Sequence, residues 1–165
     1  MDQHNPYASP VAPVAVVEPV SALGERPLFR VSGIGLATFL GTLLAGGILL
    51  AMNERALGRP QRALPVLLLS LVATVAMVAT ASLLPEDVPS IVFSLPPLLA
   101  VVLLARQLQG AAIDARIAAG LPMRSNWLAA GIAVLTMVGV SALLALALFA
   151  YLRWTGSSLE QLLGA

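Results

Sequence analysis

Residues 31–52, 64–84, 88–105 and 128–152 are apolar almost throughout, and polar residues gather between them. A helix needs about 20 such residues to cross the hydrocarbon core of a bilayer. The pattern therefore predicts an all-α membrane protein with four transmembrane helices in two hairpins, a domain covering 31–154. In the third run Pro96 and Pro97 remove backbone donors and free the carbonyls of Val92 and Phe93. A helix kinked there still reaches across, whereas one that begins only at Ser94 falls short. Trp127 brackets the fourth run at one end and Tyr151 and Trp154 at the other, about 36 Å apart at helical rise, which suits rings at both membrane interfaces.

Residues 1–30 carry prolines at 6, 10, 13, 19 and 27, too close together for a helix or a central strand. They predict a disordered, Pro-rich tail. A cleavable signal peptide would open on basic residues and an apolar core, but here Asp2 leads into prolines, so the first apolar run also serves as the insertion signal. Past the third run, RQLQGAAIDARIAAG continues the helix beyond the membrane with a face of alanine too weak for surface binding. Residues 155–165 form a short carboxyl tail in which Ser157 and Glu160 stand at capping-box spacing, enough for one short helix.

Charge orients these runs. Loop 53–63 holds Arg55, Arg59 and Arg62, loop 106–127 holds Arg106, Arg116 and Arg124, and the intervening turn PEDVP holds only Glu86 and Asp87. The positive-inside rule puts both arginine loops in the cytoplasm and both termini in the periplasm of a bacterial inner membrane. Arg26 and Arg30 oppose this, because they flank the first run on the other side and nearly balance it. The six loop arginines read as lipid headgroup anchors, each worth about 1 kcal/mol near an anionic leaflet, which together could favour an acidic lipid. The loops also share a pattern, GRPQR at 58–62 and GLPMR at 120–124. One explanation is helix grammar, with Gly58 and Gly120 closing helices in the left-handed conformation and Pro60 and Pro122 forbidding continuation. The other is a duplication in which the two halves are parallel copies; grammar is preferred, since the apolar parts of the halves match poorly.

Composition supports the membrane and removes several kinds of chemistry. The chain of 165 residues is 59% hydrophobic and 10% charged, with a mean hydropathy of +0.93, too apolar for a soluble domain of this size. A net charge of +1 argues against nucleic acid as a partner. No cysteine occurs and His4 is the only histidine, so the chain offers neither a disulfide framework nor ligands for a zinc site, and no cofactor is expected. The four runs contain no Asp, Glu, Lys, Arg or His. Proton relays and coupling-ion sites depend on charges within the bilayer, so a proton-coupled transporter is disfavoured. Ser94 and Ser141 have no histidine base nearby in sequence, which disfavours an intramembrane serine protease. Glu86 and Asp87 read as a solubilising turn rather than an acid–base pair.

What the runs do carry is small residues at helical spacing. Gly33, Ala37, Gly41 and Ala45 recur every four residues, a groove that another helix can approach closely, widened by Gly46 and Gly47. Ala73, Ala76 and Thr80 offer a matching strip in the second run, so the first two helices are expected to pack on each other, with self-association through the same groove as the rival. The hydroxyls of Thr38, Thr42, Ser70 and Thr74 are expected to bond carbonyls one turn back.

Three segments, NPYASP at 5–10, ATFLGTLLAGGILLAMNERALGRPQRA at 37–63 and LQGAAIDARIAAGLPMRSNW at 108–127, resemble a group of small uncharacterised bacterial inner-membrane proteins. In that group an NPYxxP amino terminus precedes an FLGxxLAGG helix, an asparagine and an ALGR loop. The resemblance covers about half of the chain and implies an inner-membrane location but no activity, so it carries over no functional residue. Many members have a proline where this chain has Thr42 or Leu43, so the first helix is expected to be straighter here. NPYxxP itself could dock a partner through a rigid turn around Tyr7, although a plain disordered tail is the simpler reading.

These observations lead to a non-enzymatic, multi-pass inner-membrane protein, an interaction or accessory subunit with another membrane protein or a second copy of itself as partner. The alternative is a small permease or exporter component whose polar path runs beside the carbonyls freed at Pro96 and Pro97.

Overall fold

The computed structural model describes residues 26–85, 89 and 91–156. Five helices follow one another: α1 (Val31–Leu40), α2 (Leu43–Ala56), α3 (Pro60–Leu83), α4 (Ile91–Ala118) and α5 (Asn126–Thr155), with no strand among the described residues. Three of them are long and apolar enough to cross a membrane: α3, α4 from Ser94 onward, and α5.

The first apolar run is not one helix. It stops at Leu40 and resumes at Leu43, and at about 1.5 Å per residue α1 spans roughly 15 Å and α2 roughly 21 Å, each short of the 30 Å hydrocarbon core. Gly41 (φ −101°, ψ −88°) leaves helical geometry and Thr42 is fully extended (φ −172°, ψ 176°), which reverses the chain. The two helices are antiparallel: Asn53 near the end of α2 bonds the backbone of Phe29, just before α1, and a Cβ added to Gly46 would lie 3.3 Å from Thr38 Cβ. The expected single span over 31–52 is thus a short helical hairpin, and the expected straight helix is broken without a proline. The break is stabilised from outside, because Gly46 and Gly47 let α2 approach α1 and α3 more closely than side chains would allow.

This hairpin is the core. Helix α2 buries Ala45, Gly46, Gly47, Leu49, Leu50 and Ala51 nearly all round its axis, as a helix without a polar face must. The long helices pack on the hairpin far more than on one another, α3 along α2, α4 against both arms and α5 mainly along α1. The tip reaches only partway, since a Cβ at Gly41 would lie 2.9 Å from the carbonyl of Ala133, about 11 Å along α5. Past that level Leu135, Leu143, Leu146 and Phe149 of α5 and Val75 of α3 are exposed.

The small-residue ladder divides at the break. Gly33 faces Asn126 and Ala129, Gly41 closes on Ala45 and Ala133, and Ala37 is buried with Ala45 in the same cluster. The ladder therefore packs α1 on α5 and shapes the turn, rather than packing α1 on the strip of Ala73, Ala76 and Thr80. It is Gly47 of α2 that meets α3, at Ser70, while Ala76 and Thr80 are exposed. Thr38, Ser70 and Thr74 bond carbonyls three or four residues back as expected; the Thr42 hydroxyl, removed from any helix, is buried without a partner.

Other boundaries follow from local grammar. Gly58 and Gly120 have φ of +73° and +67° and end α2 and α4, as the glycine–proline pattern implies. Pro60 occupies the first turn of α3, where its missing N–H costs nothing, so α3 starts four residues before the apolar run. Helix α4 continues through Pro96 and Pro97 and on to Ala118. The halves are not copies: one contains a hairpin and a long helix, the other two continuous long helices. Leu28 and Phe29 are buried in the core although the pattern assigned them to the tail. NPYASP, Glu86, Asp87 and the expected carboxyl-terminal helix lie outside the described residues.

Candidate functional site

The apolar ladders of α2 and α4 each end in a buried polar residue. On α2, Ala45 and Leu49 are followed by Asn53 four residues later, and Leu50 by Glu54; on α4, Val101 and Ala105 lead to Gln109. Helical periodicity thus carries three polar side chains onto the core face, where each is about 1% exposed.

Their bonds form one connected cluster. Asn53 pairs with Phe29 as a strand would, with Oδ1 accepting from Phe29 N–H (2.8 Å) and Nδ2 donating to Phe29 C=O (3.0 Å). Nδ2 also donates to Gln109 Oε1 (2.9 Å), and Gln109 Nε2 donates to Leu50 C=O (3.0 Å) and Glu54 Oε1 (2.9 Å). Glu54 Oε2 is buried and has no hydrogen-bond partner. The cluster therefore joins the segment before α1 to α2 and α4. The sequence pattern puts Asn53 and Glu54 in a polar loop and Gln109 on the helical extension of the third run; the signal that finds them is their four-residue phase with the buried residues preceding them.

Around this cluster the arginines divide. Arg55, Arg59, Arg62 and Arg106 are exposed. Arg116 is not: it is 1% exposed, and its Nε donates to Pro122 C=O (3.2 Å), fixing the loop between α4 and α5. Arg124 is half-buried with its guanidinium 5.0 Å above the Phe29 ring centroid, and its backbone N–H donates to Leu28 C=O (2.8 Å). Since Leu28 and Phe29 bond Arg124 and Asn53, Arg26 and Arg30 lie at the same end of the bundle as both arginine loops. A crossing over 31–52 would have put them at the other end.

Two recesses differ in character. One, of about 260 Å³, is lined by apolar residues of α2, α3 and α4 with Ser70. The other, of about 430 Å³, lies at the arginine end between Arg30 and the segment 121–126. Neither is lined by Pro96 or Pro97, and Pro96 is exposed. No group of three or more His, Cys, Asp or Glu among the described residues could hold a metal. Comparison with protein families, with curated proteins and with solved structures gives no match to this chain.

Proposed function

We propose that the chain is a bacterial inner-membrane protein that works without catalysis as an interaction or accessory subunit. It crosses the bilayer three times, with the α1–α2 hairpin entering from the cytoplasmic side and returning there. Eight of the nine arginines, all but Arg153, then belong to the cytoplasmic end, so the positive-inside rule favours one orientation without the opposition of Arg26 and Arg30. On this reading the segment before α1 is cytoplasmic and the end of α5 periplasmic.

That orientation has a direct check. The chain lacks cysteine, so single substitutions Arg26→Cys, Gln61→Cys, Ala119→Cys and Thr155→Cys can be labelled cleanly in spheroplasts. The first three should resist a membrane-impermeant maleimide until the cells are opened, and Thr155→Cys should react at once. Labelling of Arg26→Cys from the periplasm would restore the crossing over 31–52 and remove the hairpin from the membrane plan.

The observation behind the interaction role is the way the long helices stand apart beyond the hairpin tip. Helices in lipid gain little from burying apolar surface and associate through close packing; here the outer half of α5 is left without a packed neighbour among the described residues. A partner helix would fill that position. Photo-crosslinking residues placed at Leu135 and Leu143 should yield the same protein adduct in native membranes, and one placed at Leu49, inside the core, should yield none. Adducts to lipid alone from both outer positions would end the proposal.

A further inference from the structure

We propose that the recess between the start of α1 and the α4–α5 loop is a binding site for the phosphate group of an anionic lipid headgroup, held by Arg30 and Arg124. The proposal rests on the reading above that the arginine end faces headgroups, and it makes one place there a built site rather than part of a diffuse anchor.

The recess is lined by Arg30, Leu121, Pro122, Met123, Arg124, Ser125 and Asn126, two guanidiniums and no carboxylate among the described residues. Among the described residues neither guanidinium donates a hydrogen bond or forms an ion pair, and Arg124 stacks on Phe29. Arg124 is therefore fixed by its flat face while its N–H edge stays free, a preorganised fork that matches the oxygens of a phosphate. Ser125 Oγ accepts from Trp127 N–H (3.1 Å), which leaves its own proton to donate. The walls are held as well: Arg116 bonds the carbonyl of Pro122, Leu121 N–H bonds that of Arg116, and Arg124 N–H bonds that of Leu28. Phe29, beneath the stack, is positioned by Asn53. Rigid walls and unspent cationic donors at the mouth of a membrane bundle suit a phosphodiester better than water alone.

The test uses the full chain in detergent micelles, titrated with phosphatidylglycerol or phosphatidylcholine and read by native mass spectrometry. The wild type should retain one phosphatidylglycerol in preference to phosphatidylcholine. Arg30→Gln and Arg124→Gln should each weaken that first lipid by about tenfold, the scale of a charge-assisted hydrogen bond, whereas Arg153→Gln, exposed at the opposite end of the bundle, should leave it unchanged. The Arg30 side chain makes no hydrogen bond or ion pair among the described residues, so its variant removes none, and the melting temperatures of Arg30→Gln and Arg124→Gln control for lost stability. Inorganic phosphate is the second arm: if it displaces the lipid, the site accepts phosphate from a soluble source too, and if it does not, the lipid is the source. Wild-type retention by Arg30→Gln, or an equal loss in Arg153→Gln, overturns the site. Binding in micelles is blind to sidedness, so it fails independently of the cysteine map.

Discussion

Replacing Gly47 with leucine is expected to unseat α2 from α3 and unfold the bundle at markedly lower denaturant than the wild type. The Gly47 position already lies against Ser70, so that even an alanine Cβ would overlap Ser70 Oγ and Cβ and come within 3.8 Å of its Cα. The serine cannot simply rotate away without loss, because its hydroxyl bonds Leu67 C=O at 2.8 Å. Overpacking of this kind costs about 1–3 kcal/mol for the smaller change and more for a leucine. The effect is large because α3 is held to the bundle chiefly through α2. Gly139→Leu supplies the comparison, since nothing lies within 4 Å of a Cβ there. Unfolding in sodium dodecyl sulfate followed by far-UV circular dichroism should separate the two variants clearly. Equal midpoints for Gly47→Leu and the wild type would mean that the hairpin does not sit where it is described.

Asn53→Ala is expected to rank next. It strands three buried groups at once, Phe29 N–H, Phe29 C=O and Gln109 Oε1, and at about 1–3 kcal/mol for each unsatisfied group the loss should be at least about 3 kcal/mol. Asn53→Asp should rescue only the bond from Phe29 N–H, because a carboxylate cannot donate to the carbonyl or to Gln109. If the cluster acts as a unit, Asn53→Leu combined with Gln109→Leu should cost less than the two single changes added together, since each single change leaves the other amide unpaired. Strict additivity would show that the bonds are independent. The Asn53→Ala variant should also release phosphatidylglycerol more readily, as Phe29 would no longer hold Arg124.

Local grammar was legible from the chain. The glycines that close α2 and α4, the start of α5, and the continuation of α4 past Arg106 all follow from short-range rules of backbone conformation and periodicity. The fate of residues 31–52 was not. Hydropathy counts apolar residues and cannot tell a helix that faces lipid from a pair of shorter ones enclosed by protein, since both exclude polar side chains. Gly41, Ala45, Gly46 and Gly47 were read as one groove on one helix, whereas they form a turn and two separate close approaches. Asn53 and Glu54 looked like the start of a loop because they adjoin Arg55; only the arrival of Gln109 from a helix more than fifty residues away makes their burial tolerable. Likewise Arg116 resembled its exposed neighbours until the folded loop placed the carbonyl of Pro122 against it.

Composition and pattern by themselves determined that this is a helical membrane protein, and set its long helices, its glycine stops and the arginine-rich character of its loops, because the lipid preference of an apolar helix depends on its own side chains alone. Tertiary structure decided that the first run turns back at Gly41 and Thr42, that Arg26 and Arg30 share an end with the other arginines, and that one polar recess is built there. Those outcomes depend on which surfaces meet, and contact between distant segments is a property of the assembled chain that no stretch of it contains.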